Sequence, residues 1–445
     1  MNTNSRPPRI GIFGHYGHEN LGDEAITVAV IENIRRRRRD AVIHLFSMNP
    51  RDSAVRYGLP VHPIRRASNE AWPPQAAQPE APERGIAHRI EHSLRAFLRR
   101  WPLVALPLRL LCAIARGLRG LVREALFLRQ AYSRLRQIDL LLFAGSNQFL
   151  DNFGGPWGYP YTLLKWSALA KLARIKVAYA SVGAGPLDAW LSKRLVRAAL
   201  RFADTVSFRD EGSARMIRSL GYPGPATVCP DLAHSLSLDG PVATSASGSR
   251  DPRRPIVAVN PMPMYDRRYW CAPDASRYDS YISRLATFCD SLAHDRYPLV
   301  FFGTQTSDYN VITDVMHRMR SVNGSRQPDV RVEHLQSVDE LIRFLTTAHI
   351  VVATRFHGTL LALFAGTPVL AICYYPKARE LMVDMGQEAY AVDLDDFTVS
   401  DALLRFGSLE ANRRHQVEQI ERRNQEYRHI LDSQYDAVLG LVTSD

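Results

Sequence analysis

Short, almost wholly apolar runs recur along this 445-residue chain, most of them followed by a glycine-rich or polar turn and then by apolar residues at helical spacing. Arg9–Phe13 (RIGIF) is the first and reads as a buried strand. The turn GHYGHENLGDEA follows it. A helix is then expected over Glu24–Arg39, with Ala25, Ile26, Ala29, Val30, Ile31 and Ile34 apolar and Asp23 as N-cap. Val42–Phe46 (VIHLF) is a second strand. Strand, glycine turn, helix and strand open a doubly wound α/β domain. Further strands are expected at Ile138–Phe143, Ile175–Ser181 and Asp204–Phe208. A second alternating set lies at Ile256–Asn260, Pro298–Phe302, Val330–His334, Ile350–Ala353 and Val369–Cys373. The low-complexity run PVATSASGSRDPRRP separates the two sets near residue 245. The chain therefore divides into a Rossmann-like domain over 1–240, a linker over 241–255, a second Rossmann-like domain over 256–400 and a C-terminal segment over 401–445. A long helical pattern over Leu409–Leu439 is expected to pack back across a domain. Two parallel sheets facing each other put a ligand site in the cleft, at the carboxyl ends of the strands.

One stretch of the first domain breaks the pattern. SNEAWPPQAAQPEAPE reads as exposed linker. From Arg84 to Arg136 there are twelve arginines, no lysine and only two acids, Glu91 and Glu124, so this segment carries nearly all of the formal net charge of +11. Pro102 and Pro107 are expected to split it into two helical pieces. In the second, Leu111, Ile114, Ala115, Leu118, Leu121, Val122 and Ala125 share one face, opposite Arg116, Arg119 and Arg123. Residues 68–136 thus read as a basic amphipathic insertion, of which 85–135 suits an anionic membrane surface. The competing reading is an insertion packed on its domain with a solvated arginine face. Charge so confined is no field for nucleic acid, and no nucleic-acid partner is expected. Arg35–Arg39 ends a helix, where cations suit the dipole.

With 46% hydrophobic residues the chain can bury a large core. No run approaches the ~20 apolar residues of a membrane span, and no signal peptide is read at the N-terminus. Five scattered cysteines without CxxC spacing argue against a disulfide framework or a zinc site. A reducing, cytoplasmic location is expected, with peripheral attachment to the inner face of the membrane.

Five strand-end loops carry candidate chemistry. The first is Gly14–Glu24. Its glycines let backbone N–H groups approach a ligand, and the helix start favours an anion. It is neither a Walker A loop nor a clean GxGxxG. A capped turn explains it nearly as well, but His15, His18, Asn20 and Asp23 are many polar groups for a turn. His15, Asn20 and Gly22 are candidate binding residues. The second is Thr354–Thr359 (TRFHGT), between the apolar strand IVVA and a helix. Strand alternation places Arg355 and His357 on one side and turns Phe356 away. Arginine grips phosphate or carboxylate bidentately, and histidine moves protons near neutrality. The third is VSFRDE, where Arg209 ends a strand; a surface pair with Asp210 or Glu211, worth ~0–1 kcal/mol, is the plainer explanation. The others are SVGAGP, with Gly183 and Gly185, and YYPK, with Lys377 as a phosphate-binding candidate.

Five blocks together resemble the polysaccharide pyruvyl transferase family: IGIFGHYGHENLGDEAI, VAYASVGAGPL, VSFRDEGSARMIRSLG, CPDLAHSL and VVATRFHGTLLALFAGTPVLAICYYPKARELMVDMG. The resemblance covers most of the chain outside roughly 50–137 and the far C-terminus. It implies two Rossmann-like α/β domains arranged as in GT-B glycosyltransferases. It also implies transfer of pyruvate from phosphoenolpyruvate to two hydroxyls of a sugar or lipid-linked glycan, giving a cyclic ketal and phosphate, as in exopolysaccharide biosynthesis. The implied donor pocket uses Arg355, His357 and Arg209, with Phe356 contributing backbone. His357 would be the general acid, the arginines would offset the departing phosphate, and Asp23 or Glu24 is a candidate base. No metal and no cofactor beyond the phosphoenolpyruvate donor are expected. One departure is visible. Relatives usually carry a glycine run where this chain reads Phe143–Asp151 (FAGSNQFLD), and only Gly145 remains. If that loop holds the acceptor, the acceptor differs or transfer is lost.

Two rival functions follow from the same residues. A nucleotide-sugar glycosyltransferase would need a carboxylate for the ribose, and Glu380 is the nearest candidate. A non-catalytic component of an envelope-polysaccharide assembly complex would be consistent with the thinned glycine loop.

Overall fold

Two parallel sheets, one of seven strands and one of six, each sit between layers of helices. The computed structural model describes residues 6–17, 20–66, 102–152, 154–237, 255–270, 272–295, 297–320 and 329–442. The Pro-rich linker, the first part of the basic insertion and nearly all of the expected interdomain linker lie outside the described residues.

The first sheet comprises β1 (Arg9–Phe13), β2 (Val42–Ser47), β3 (Val61–Pro63), β4 (Leu140–Ala144), β5 (Lys176–Val182), β6 (Thr205–Phe208) and β7 (Thr227–Val228), in the order β3-β2-β1-β4-β5-β6-β7. The second comprises β8 (Val257–Asn260), β9 (Leu299–Phe302), β10 (Val330–Glu333), β11 (Ile350–Ala353), β12 (Val369–Cys373) and β13 (Ala391–Asp393), in the order β10-β9-β8-β11-β12-β13. Every pairing is parallel. Both sheets are doubly wound. The order in which strands are added reverses between β1 and β4 and between β8 and β11, and loops splay apart at such points to admit a ligand.

The helices of the first lobe are α1 (Leu21–Arg37), α2 (Pro50–Tyr57), α3 (Pro102–Leu135), α4 (Tyr159–Leu172), α5 (Trp190–Leu200) and α6 (Glu211–Ser219). The second lobe carries α7 (Ala275–His294), α8 (Asp308–Arg318), α9 (Val338–Thr347), α10 (Phe356–Phe364), α11 (Pro376–Asp384), α12 (Val399–Ala411) and α13 (Arg413–Gly440). Central strands are buried on both faces, so they read as continuous apolar runs such as LLLFA and IVVA.

Three expectations are corrected. Helix α1 begins at Leu21, because Asn20 is the N-cap and accepts from Gly22 N at 3.1 Å; Asp23 lies inside the first turn. Pro107 does not split the described part of the insertion, because α3 runs through it from Pro102 to Leu135 with the loss of one internal hydrogen bond; what precedes Pro102 lies outside the described residues. The C-terminal helical pattern is two helices, broken at Asn412.

Helix α13 straps the lobes together. Asn424 Nδ2 donates to the Leu363 carbonyl at 2.9 Å in the second lobe. Further along, Gln434 donates to Ser207 Oγ at 2.6 Å and accepts from Ser181 Oγ at 3.1 Å in the first. Arg36 and Arg37 of α1 pair with Asp432 beside it. One apolar core runs from Ile10, Ala25 and Ala29 through Leu232 and Tyr435 into Val259 and Leu360. That shared core fixes the two switch points relative to each other.

Candidate active site

The loops at the two switch points meet directly. Leu21 N, at the start of α1, donates to the Thr304 carbonyl after β9 at 2.9 Å. Helix α10, which follows β11, presents its first residues to the same place. His357 packs against Gly22 so tightly that a Cβ on residue 22 would lie 2.2 Å from the imidazole. Only glycine admits the ring there. His357 Nε2 is buried and has no hydrogen-bond partner. Burial lowers the pKa of His357, and the charges of Arg209 and Arg355 lower it too, against the opposing pull of Asp23 and Asp231. The resting imidazole is therefore neutral at pH 7.

Asp23 is buried and tightly held. Its Oδ1 accepts from Ser146 Oγ at 2.9 Å, its Oδ2 accepts from Asn20 Nδ2 at 2.6 Å, and His15 Nδ1 lies 3.6 Å away. Burial pushes its carboxyl up, but the hydrogen bond and charge of His15, the charge of His357 and the Ser146 hydroxyl together hold it below the ordinary range. Glu24 points elsewhere, accepting from Gly17 N at 3.1 Å near Arg56, and burial raises its pKa to about 7.

Each lobe contributes a guanidinium oriented by a carboxylate of its own. Arg209, at the end of β6, directs Nη1 to Asp231 Oδ2 at 3.3 Å and Nε towards Asp210 Oδ2 at 3.5 Å. It lies against Gly183, where a Cβ would come within 2.6 Å of Nε. Its Cζ stands 4.6 Å from the centroid of Phe356, a contact that crosses between lobes. Arg355, the N-cap of α10, gives Nε to both oxygens of the fully buried Asp308 at 2.8 and 3.0 Å, and Nη2 to Asp308 and to Ser307 Oγ. Arg209 Nε is buried and keeps no hydrogen bond among the described residues. Phe356 is thus not turned away. It is the first residue of a helix, so successive side chains step by about 100° and strand alternation does not apply.

Lys377, at the start of α11, donates to Asn147 Oδ1 at 2.5 Å, bridging the lobes. Burial and the neighbouring Arg209 push its pKa down to about 7. Asn147 is held in turn by the Gly185 carbonyl at 2.6 Å. Gly185 itself, at φ +97°, faces Met216 and supports the loop without meeting the guanidiniums. Glu380 meets the first lobe, accepting from Arg215 at 3.4 Å. Arg209, Asp231, His234, Phe356 and Lys377 line a cavity that reaches Tyr427 of α13.

The structure thus brings Arg209, Arg355, His357, Phe356, Asp23, Asn20, Gly22, His15, Gly183 and Lys377 to one inter-lobe region. Sequence reasoning missed Ser146, Asn147, Asp231 and Asp308. Two of these were visible as acids beside a turn, in CPDLA and TSDYN. Ser146 and Asn147 stand where glycines were expected, and Ser146 keeps a glycine-like φ of +57°. No group of three or more His, Cys, Asp or Glu able to hold a metal ion occurs among the described residues.

The profile of the family described as polysaccharide pyruvyl transferase matches residues 20–374. No curated protein sequence matches the chain. Solved structures share its fold at low identity. UDP-GlcNAc 2-epimerase from Neisseria meningitidis bound to UDP-GlcNAc is 11% identical, with a TM-score of 0.56 over 97% of this chain and 99% of that one. An S. aureus MnaA–UDP complex is 11% identical, with a TM-score of 0.55 over 99% and 98%. UDP-GlcNAc 2-epimerase from Methanocaldococcus jannaschii is 8% identical, with a TM-score of 0.52 over 90% and 92%. These likenesses establish a two-domain, GT-B-like α/β architecture.

Proposed function

The chain belongs to the polysaccharide pyruvyl transferase family, and on that premise we propose that it transfers the pyruvyl group of phosphoenolpyruvate to two hydroxyls of a sugar in a polysaccharide or lipid-linked glycan. The observation that carries this reading is the pairing of one guanidinium from each lobe with the unpartnered Nε2 of His357. Phosphoenolpyruvate offers a phosphate and a carboxylate on a three-carbon frame. Arg209 and Arg355 divide these two anions between the lobes, and Lys377 adds a third cation beside Arg209. Asp231 and Asp308 hold the guanidiniums in place beforehand, so little ordering is left to binding.

His357 delivers a proton to the methylene carbon. The imidazole starts neutral because two cations and burial disfavour its charged form. Arrival of a multiply charged anion offsets those cations and raises its pKa towards the working range. Asp23, held below the usual carboxylate range, is a weak base; it serves as counter-charge to the imidazolium. Carbon two then becomes electrophilic, one sugar hydroxyl adds to it, phosphate departs, and the second hydroxyl closes the ketal. Of the two hydroxyl protons lost, one balances that placed on the new methyl group and the other leaves with phosphate. Ser146 and Asn147 line the loop where the acceptor enters.

Incubation of the full-length protein with phosphoenolpyruvate and a panel of free and lipid-linked glycans tests this. Phosphate release together with a glycan heavier by one pyruvyl unit less water is expected. Consumption of a nucleotide sugar with phosphoenolpyruvate untouched would replace the reading with a glycosyltransferase.

A further inference from the structure

Helix α3 is amphipathic in an unusual sense. Its last turns are anchored to the first lobe by Phe127, Ala131 and Leu135, which are buried at four-residue intervals. Glu124 faces the same side and accepts from Lys165 at 3.0 Å. The face turned away from the body should then be polar. Instead it carries Leu118, Leu121, Val122 and Leu126, exposed by 58, 69, 60 and 55%. At 100° per residue these four fall in a band about 140° wide, between about 100° and 180° from Phe127. Arg129 falls inside this band and Arg119 at its edge beside Leu126, whereas Arg123 lies about 40° from Phe127; all three are exposed. Arg66 meets α3 on the anchored side, donating to the Gly120 carbonyl at 3.0 Å. The only acid of α3, Glu124, is engaged on the inner side. Among the described residues of α3, the outward side is therefore apolar and cationic and carries no acid.

We propose that this face of α3 docks the protein on an anionic lipid bilayer, with the leucine stripe entering the headgroup region and the arginines meeting lipid phosphates. The charge selects the occupant. A protein partner or a second copy of this chain would need an acidic rim to complement the arginines, and the same face on a second copy would bring arginine against arginine. A bilayer of anionic lipid supplies both an apolar layer and a plane of phosphates. The helix lies on that surface and does not cross it, since no helix among the described residues is long and apolar enough to span. Docking there would hold the enzyme beside a lipid-linked acceptor, but the surface is read from α3 alone and does not depend on the reaction.

The test is flotation of the full-length protein with vesicles of phosphatidylcholine alone or with about a third phosphatidylglycerol. Wild type is expected to float with the anionic vesicles, weakly with the neutral ones, and to be released as salt rises. Replacing Arg119 and Arg129 by Gln should weaken binding roughly 30-fold, at about a factor of five for each basic residue near an anionic surface. Leu118→Ser with Leu121→Ser, Val122→Ser and Leu126→Ser should abolish flotation. These residues are exposed, so an unchanged melting temperature certifies the fold. Three results would overturn the proposal: wild type failing to float, the four-serine variant floating like wild type, or a dimer that the four-serine change dissolves while vesicle binding persists.

Discussion

Gly22 and His357 come from different lobes, yet the backbone of one is the wall against which the ring of the other rests, with room for no Cβ between them. Alanine at position 22 would improve the intrinsic helix propensity of α1 by about 1 kcal/mol. It would also push the imidazole out of place. Gly22→Ala is therefore expected to cut kcat at least 100-fold, since displacement by about 1 Å costs that much. The melting temperature should move by only a few degrees. Full kcat in this variant would remove His357 from the chemistry.

Asp308 makes a different prediction. It is fully buried and accepts from Thr304 N at 2.9 Å and Gln305 N at 3.1 Å, as well as from Arg355. Asp308→Ala would strand a half-buried guanidinium and two amides. Loss of about 3–5 kcal/mol in urea denaturation is expected, the range for breaking a buried ion pair. A loss below about 1 kcal/mol would mean that Asp308 does not organise Arg355.

These two residues also show what could be read before the fold was known. The apolar strands RIGIF and IVVA announced themselves because parallel strands are buried on both faces. Arg355 and His357 were legible because polar groups at the end of such a strand have few structural excuses. Asp308 and Asp231 were not, because an acid after a turn looks like any helix cap until a distant arginine arrives beside it. The start of α1 was misplaced because Asn20 and Asp23 are both good caps and only the backbone chooses between them. The edge strands β3, β7 and β13 are two or three residues long and carry no periodicity. Phe356 was turned the wrong way by applying the strand period one residue too far.

Ser146 holds a left-handed backbone at φ +57° and donates to Asp23. Ser146→Gly should relieve about 1 kcal/mol of backbone strain but lose a charge-assisted hydrogen bond worth about 1.5–3 kcal/mol, raising the pKa of Asp23. A slightly less stable protein with slower turnover is expected, measured by urea denaturation and phosphate release. A more stable variant with unchanged turnover would show that Ser146 does not hold Asp23.

His234 predicts a pH dependence of stability. Burial lowers its pKa to about 4 from an ordinary 6.5, and its ring is packed against Tyr427. The unfolded chain therefore binds a proton that the folded chain refuses between pH 6.5 and about 4. Stability must rise with pH across that window and fall on acidification, by up to ~3 kcal/mol from this residue. The melting temperature should drop between pH 6.5 and 4, and His234→Phe should flatten that slope. An unchanged slope would assign the acid sensitivity elsewhere.

Lys377 titrates near neutrality because burial and Arg209 disfavour its charge. Its proton is lost as pH rises through about 7, so affinity for a phosphate-bearing ligand should weaken above that point. Lys377→Gln should remove this dependence in a titration with inorganic phosphate. A pH-independent affinity in wild type would exclude Lys377 from the anion subsite.

The central claim is that cations from both lobes hold phosphoenolpyruvate beside His357, and calorimetric titration of phosphoenolpyruvate into wild type, Arg209→Gln and His357→Ala tests it most directly. Loss of a charge-assisted hydrogen bond is worth about 1.5–3 kcal/mol, so Arg209→Gln should bind roughly 10- to 150-fold more weakly. His357→Ala should bind within a few-fold of wild type and yield no ketal. Phosphoenolpyruvate binding as tightly to Arg209→Gln as to wild type would contradict the account.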